Sequence, residues 1–304
     1  MNEPVQLTFD MFPAVSQKSE KETVIDNIRP ISTMQSNPFD FSKVFVDGCR
    51  FEEKHSENSM AILGDCLDVL KSMNSNAVNL IFADAPYNIG KDFGNNSDTW
   101  DSVQAYVDWC KAWIDECLRV LRDDGTMYFM TATQHMPYLD VYVSERYNVL
   151  CRIVWTYDSS GVQSKKMYGS LYEPILMINK SARAKYIFNH EDILVEAKTG
   201  AKRKLIDYRK NPPQPYKNEK VPGNVWNFCR VRYRMDEYEN HPTQKPISLL
   251  ERIIKASTNK GDVVLDPFCG TFTTGYVAKE LGRQFIGIEI QEEYYKIGLR
   301  RLGL

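Results

Sequence analysis

The 304-residue chain is expected to fold as an α/β domain around a mainly parallel, doubly wound sheet, and three observations predict it. Short apolar runs alternate with longer amphipathic stretches on both sides of the chain's middle, the pattern of strand-helix-strand units. Two of those runs end in turn-forming clusters, Asp84-Ala85-Pro86-Tyr87 and Asp266-Pro267-Phe268-Cys269-Gly270. Both clusters therefore sit at the carboxyl ends of strands, where open α/β sheets bind ligands. Between them, a basic segment with Pro212-Pro213, Pro215 and Pro222-Gly223 breaks the alternation and predicts irregular loops.

Taken in order, residues 1–58 are polar and aperiodic, with 10 Asp plus Glu against 6 Lys plus Arg, and read as an arm or linker. Residues 59–64 form a short strand, and 65–73 a helix with Leu67 and Leu70 on one face. The next strand, 78–83, carries the first turn cluster. Residues 88–100, rich in Gly, Asn and Asp, suit a mobile loop. A long helix over 102–122 is closed by Asp123-Asp124-Gly125, followed by a strand at 126–131, a helix at 134–146, and two strands at 151–157 and 173–179. After the basic segment come a helix at 244–258, a strand at 262–265, a helix at 271–281, a strand at 285–288 and a last helix to Arg301. There is no internal repeat.

With 43% hydrophobic residues the chain can bury a sizeable core. No run approaches the roughly 18 apolar residues of a membrane span. Glu3 and Asp10, with no basic or apolar stretch around them, argue against a secretory signal. The 7 cysteines include no C-x-x-C pair and no nearby histidine at zinc-ligand spacing, so free thiols in a reducing cytoplasm are expected and no metal. A net charge of −2 points away from nucleic acid, but its distribution reverses that. Residues 180–234 hold 14 Lys plus Arg against 5 Asp plus Glu, a local +9, interleaved with Tyr186, Phe188, Tyr208, Tyr216, Trp226, Phe228 and Tyr233. Neutralising phosphates needs such a cluster, so DNA contact is the expectation over a merely solvated face.

The first turn can hold a flat heterocycle by its amino group. The Asp84 carboxylate and the carbonyl of residue 85 can each accept one hydrogen of an exocyclic NH2 while the Tyr87 ring stacks on the base. In the second, Gly270 allows the backbone to approach a ligand closely. Glu289, which ends the following strand, has the position and spacing of a carboxylate that binds ribose hydroxyls. The absence of G-x-G-x-x-G counts against a nicotinamide dehydrogenase.

Together the two turns resemble the amino-methylating DNA methyltransferases, with catalytic motif [DNS]-P-P-[YFW] and cofactor motif D-P-F-x-G-[ST]. Their order, catalytic first, is similar to the circularly permuted beta class. The resemblance spans about residues 60–300 and extends to the YhdJ-type adenine enzymes through Asp158-Ser159-Ser160-Gly161-Val162-Gln163, the run from Ile206 to Tyr216, and His241-Pro242-Thr243-Gln244-Lys245-Pro246. Ala85 stands where the family usually has Pro; it keeps the main-chain carbonyl and loses only the restriction on φ.

The resemblance implies a Rossmann-like fold dependent on S-adenosyl-L-methionine (AdoMet), with a seven-stranded sheet and helices on both faces. It divides the chain into a catalytic half at 59–180, a target-recognition insertion at 181–240 and an AdoMet-binding half at 241–304. Asp84, Ala85, Pro86 and Tyr87 would be catalytic. Asp266, Pro267, Phe268, Gly270, Thr271 and Glu289 would bind the cofactor. Asp65 would cap its adenine, a helix, or both; Thr243 and Lys245 would lie near its methionine end or cap the next helix. The DNA-binding candidates are Lys202, Arg203, Lys204, Arg209 and Lys210, with Arg230, Arg232 and Arg234 alternating as on one face of a strand. The implied reaction is methylation of N6 of a flipped adenine in double-stranded DNA, in a short palindrome such as ATGCAT, with a homodimer or a cognate restriction endonuclease as further partners. Cytosine N4, an RNA or protein-glutamine target, or a DNA-binding relative with an impaired catalytic turn are the competing readings.

Overall fold

The computed structural model describes residues 38–93, 98–158, 165–198 and 204–304, so Lys202 and Arg203 lie outside the described residues. After a 3-10 turn at Phe41–Val44, the chain runs β1 (Glu52–His55), β2 (Ser59–Leu63), α1 (Cys66–Lys71), β3 (Val78–Asp84) and α2 (Val103–Val120). β4 (Leu121–Met130), α3 (Met136–Arg146), β5 (Asn148–Thr156) and β6 (Tyr172–Asn179) follow. The basic segment contributes four two-residue ladder strands, β7 (Val195–Glu196), β8 (Ile206–Asp207), β9 (Gln214–Pro215) and β10 (Glu219–Lys220), and then β11 (Val225–Asn227). The chain closes with α4 (Ile247–Ser257), β12 (Val263–Asp266), α5 (Thr273–Glu280), β13 (Gln284–Glu289) and α6 (Glu292–Leu302).

One sheet organises the molecule, in the order β1-β2-β13-β12-β3-β4-β6-β5-β11. Seven strands form its body, as expected, but a short strand is added at each edge. β1 pairs antiparallel with β2, and β11 pairs parallel with β5. Residues 38–58, read as part of the arm, pack with the domain: Phe41 and Val44 are buried against the core, and residues 1–37 lie outside the described residues. Side chains alternate across the sheet, so that Ile81 and Ala83 of β3 join the core under α1, α2 and α3. Leu80 and Phe82 face the opposite core under α4, α5 and α6. Both faces are thus covered, as a parallel sheet requires.

α2 shows why these residues choose a helix. Ser102 caps it, its hydroxyl accepting the Ala105 N–H at 3.1 Å. Tyr106, Val107, Cys110, Trp113, Ile114 and Cys117 recur at the 3–4 residue spacing of one face and are all buried. Each large side chain so removed from water contributes about 1.5–3 kcal/mol. Asp123-Asp124-Gly125, expected to stop this helix, instead forms an irregularity inside β4, which starts at Leu121 opposite Val78. A Cβ on Gly125 would lie 2.8 Å from the Asn79 carbonyl oxygen, so the strand can close on β3 there only with glycine.

The strand directions position the site. β2, β13, β12, β3 and β4 are mutually parallel, and their carboxyl ends share one edge of the sheet. β6 runs antiparallel to β4, which brings its amino end to that same edge. Asp65, Glu289, Asp266, Asp84 and Glu173 therefore come from five strand ends along one rim.

Candidate active site

Asp84 ends β3 with its side chain 14% exposed. The Tyr87 hydroxyl donates to its Oδ1 at 2.9 Å, and Lys245 Nζ pairs with its Oδ2 at 2.5 Å. Burial raises the Asp84 carboxyl above the usual range and the Lys245 ammonium pulls it back. For Lys245, burial opposes the charge, but Asp84 and Glu173 together outweigh it and hold the amine above its ordinary value. The 2.5 Å contact has the geometry of a buried ion pair. Burial, and then the charges of Asp84 and Glu173, push the Tyr87 phenol well up, so it remains a donor.

The turn is held from behind by α2. The Tyr106 hydroxyl donates to the Pro86 carbonyl at 2.9 Å and lies 2.6 Å from Thr131 Oγ1. Ala85 is packed into the core on that side. The segment after the turn, expected to be mobile, is pinned at its described ends. Buried Asp98 accepts the N–H groups of Asn88 and Ile89 at 2.6 and 3.1 Å.

Beside β3, β12 delivers the second turn. Asp266 accepts the Phe268 N–H at 3.0 Å and the Thr274 hydroxyl at 2.6 Å. Pro267 between them is part of the same cavity wall. Glu289 accepts Gly270 N–H at 2.7 Å and Gln291 N–H at 2.8 Å. Burial lifts both carboxyls, each to about 7. Gly270 has φ +52°, and a Cβ there would stand 3.0 Å from His241 Nε2. Phe268 packs edge-on against Trp113 and Trp109 of α2, with ring centroids 5.2 and 5.8 Å away. Arg301 of α6 clasps the turn from outside, donating to Thr271 O at 2.9 Å and Thr273 Oγ1 at 2.8 Å.

Asp65 caps α1, accepting the N–H groups of Leu67 and Asp68 at 2.8 and 3.3 Å, and also lines the same cavity. Thr243 lines it too, its N–H donating to His241 Nδ1 at 3.2 Å. Burial, with the Lys245 charge second, lowers His241 to about 3, so this imidazole is neutral. Asp65, the turn from Asp84 to Tyr87, Thr243, Lys245, the segment from Asp266 to Thr271 and Glu289 all line one cavity of about 320 Å3. Lys245, expected near the methionine end or in a helix cap, sits at the junction, on Asp84. Glu173, absent from the sequence reading, joins it there: its Oε2 lies 2.9 Å from the Tyr87 hydroxyl, which shares its one hydrogen between Asp84 and Glu173, and 3.8 Å from Lys245 Nζ; Tyr106, also absent from that reading, holds the turn through Pro86 instead.

The DNA-binding candidates are distributed differently from expectation. Arg230 to Arg234 do not form a strand; the segment turns, and Arg234 has φ +73°. Alternation alone does not make a strand without a partner for its backbone. Arg230 instead stacks on the Tyr157 ring at 4.8 Å, Arg232 donates to Asp158 O at 2.8 Å, and Arg234 lies 5.6 Å from the Tyr233 ring. Arg209 is paired with Asp207 through two hydrogen bonds, which compensates its charge, while Lys204 and Lys210 are exposed. Among the described residues no cluster of three metal-ligating side chains occurs, and no helix is long and apolar enough to cross a membrane.

Comparison with known proteins agrees with this geometry. Residues 78–300 match the N6_N4_Mtase family model, described as DNA methylase. The chain is 58% identical over 257 residues to DNA adenine methyltransferase YhdJ of Escherichia coli strain K12, covering 84% of this chain and 87% of that protein. It is 35% identical over 243 residues to the type II methyltransferase M.HpaI of Haemophilus parainfluenzae, covering 79% and 73%. The M1.HpyAVI complex with SAM superposes with TM-score 0.56 at 25% identity, over 81% of this chain and all of that one. The PvuII cytosine-N4-specific enzyme, at 20% identity and TM-score 0.61 over 83% and 90%, shares the fold. The buried carboxylates and the glycine cradle fit a diol-bearing, zwitterionic methyl donor, and this chain belongs to the AdoMet-dependent N6/N4 DNA methylase family.

Proposed function

We propose that the protein methylates N6 of adenine in double-stranded DNA, at a site first to be tested as ATGCAT. The observation that carries the reading is the sharing of one cavity by the Asp84-Ala85-Pro86-Tyr87 turn and the Asp266 and Glu289 turn. The adenine enzyme YhdJ as relative, and Asp rather than Ser at the first catalytic position, favour adenine over cytosine.

In this reading Glu289 binds the ribose hydroxyls of AdoMet, Asp65 its adenine amino group, and the segment from Asp266 through Thr271, with Thr243, its remaining polar groups. Bound there, AdoMet supplies an electrophilic methyl group on sulfur. A base inside a duplex cannot reach this cavity, so the target adenine is extruded. Asp84 and the carbonyl of Ala85 accept the two hydrogens of its amino group, and the Tyr87 ring supports its face, a contact worth about 1–3 kcal/mol. These acceptors orient the nitrogen lone pair before reaction, so positioning and fixed dipoles supply most of the rate. Lys202, Arg203, Lys204 and Lys210 contact phosphates, and Arg230, Arg232 or Arg234 reads the site. A homodimer, a cognate endonuclease and a cytoplasmic location complete the proposal.

The test is single-molecule sequencing of methylation-free DNA treated with the purified protein and AdoMet. Methyladenine confined to one short sequence is expected. Methylcytosine in its place, or no transfer, overturns the reading.

A further inference from the structure

The connection from β5 to β6 opens on the ligand-binding rim. Thr156 pairs with Tyr172 and Trp155 with Glu173, and beyond them the Tyr157 N–H donates to the Leu171 carbonyl at 3.1 Å. Glu173 Oε2 lies 2.9 Å from the Tyr87 hydroxyl, so this end of the ribbon stands beside the catalytic turn. Tyr168 comes three residues before Leu171, a span of at most about 11 Å. It is 101% exposed, so its ring gains nothing from burial in the fold. Two other strongly exposed tyrosines are placed differently: Tyr208 follows β8 in a separate two-stranded ribbon, and Tyr233 packs edge-on against Tyr238 with ring centroids 5.6 Å apart. Among the described residues only Tyr168 joins full exposure to a place on the ribbon beside the catalytic turn. Lys165 and Lys166, both exposed, precede it, so the same tip carries charge suited to backbone phosphates.

A base that leaves a duplex for the cavity leaves a gap one base thick, about 3.4 Å, in its own strand. Filling that gap with an apolar side chain offsets the cost of unstacking. We propose that Tyr168 is a positioning residue that inserts its ring into the DNA stack where the target adenine was, and so holds the extruded base in the cavity. Its partners are the flat faces of the two neighbouring bases. A phenol ring is one base layer thick and stacks on any base, so the contact carries no sequence information. Tyr87 receives the adenine inside the cavity while Tyr168 takes its place outside, so the two rings secure the two ends of one rotation.

This rests on the reading of the protein as a base-extruding methyltransferase, and the test separates the two. Tyr168→Ala and Tyr168→Phe are compared with wild type at saturating AdoMet and DNA, on a duplex whose target adenine is paired with thymine and on one where it faces an abasic position. For Tyr168→Ala we expect turnover on the paired duplex down by about 10- to 100-fold, the scale of a lost base–aromatic stack, with AdoMet affinity unchanged. On the abasic duplex extrusion breaks no pair and stays favourable without the ring, so the deficit should shrink to within about threefold. Tyr168→Phe keeps the ring and should recover most of the loss. Fluorescence of 2-aminopurine at the target position, which rises when the base leaves the stack, should rise less with Tyr168→Ala. Equal deficits on both duplexes, no deficit on the paired one, or no recovery by Tyr168→Phe overturns the proposal. A wild-type protein that methylates cytosine in place of adenine would refute the functional reading alone, and the same ratio of deficits on paired and abasic-faced cytosine then decides the role of Tyr168.

Discussion

Replacing Asp84 by Asn tests the catalytic assignment with the least change of shape. The carboxylate presents two acceptor oxygens and a charge to Tyr87 and Lys245; the amide presents one oxygen and no charge. A docking amino group must then compete with Tyr87 for a single acceptor, and the nitrogen lone pair is no longer oriented. Loss of a preorganised polar partner at a reacting centre costs about 2.7–4 kcal/mol, so turnover should fall by about 100- to 1000-fold. AdoMet affinity should stay within about threefold, because Asp84 lies on the neighbouring strand to Asp266 and bonds none of its turn. Breaking a buried pair by removing one partner costs up to about 3–5 kcal/mol of stability, and Glu173 at 3.8 Å softens that for Lys245, so a measurable but survivable drop in melting temperature is expected. Single-turnover transfer of labelled methyl from AdoMet to an ATGCAT duplex reads the first effect and calorimetric titration the second. Turnover within about tenfold of wild type would refute the reasoning, since no fixed acceptor would then be needed.

The two cofactor carboxylates predict that stability and AdoMet affinity change with pH in opposite directions. Asp266 and Glu289 hold protons up to about 7 in the ligand-free protein, above ordinary values of 3.8 and 4.5. The folded state therefore binds protons more tightly than the unfolded chain. Their contribution to stability is present below pH about 4 and is lost as pH rises through about 7, which melting curves will show. AdoMet affinity, which needs Glu289 ionised, should fall about tenfold per unit below that value, and Glu289→Gln should bind weakly at every pH; a flat wild-type profile in calorimetry contradicts this. Neutralising Lys202, Arg203 and Lys204 together should weaken binding to all duplexes and lower the salt slope by up to about 3, read by fluorescence anisotropy at several salt concentrations. Substituting Arg230, Arg232 or Arg234 should change discrimination between sites, and equal loss on target and scrambled duplexes would assign all three to the backbone. Trp113→Ala, which empties the space under Phe268, should cost about 3–5 kcal/mol in chemical denaturation and loosen AdoMet binding as well.

The elements that carry the site were legible because each is local. Each strand and the turn that ends it lie within about ten residues, and the period of apolar side chains announces them and the helices that follow. The groups that tie one turn to another were not. Glu173 opens an antiparallel strand, so it reaches the ligand-binding rim from the end where a parallel strand would place nothing. Lys245 is close in sequence to a helix start and close in space to Asp84, and only the latter decides its charge partner. Tyr106 and Arg301 look like ordinary members of helical faces until their polar ends are followed to Pro86 and Thr271. β11 is three residues long and follows Pro222-Gly223, so its strand character comes from pairing with β5 and not from its own sequence. Conversely, the alternation at Arg230 to Arg234 has strand period but no neighbour to pair with.

The strand order has a consequence for how the chain is made. β12 and β13, encoded last, fill the gap between β2 and β3, which are encoded first. Until they emerge, β2 with β1 and β3 with β4, β6, β5 and β11 are two separate ribbons, each with an unpaired apolar edge. Such edges are templates for association with other chains. A nascent or truncated polypeptide ending before residue 262 would therefore be a sticky pair of fragments and not a half-enzyme. The methyl-donor segment is the keystone of the sheet as well as the seat of the cofactor, and proteolytic loss of it would remove the protein, not merely its activity.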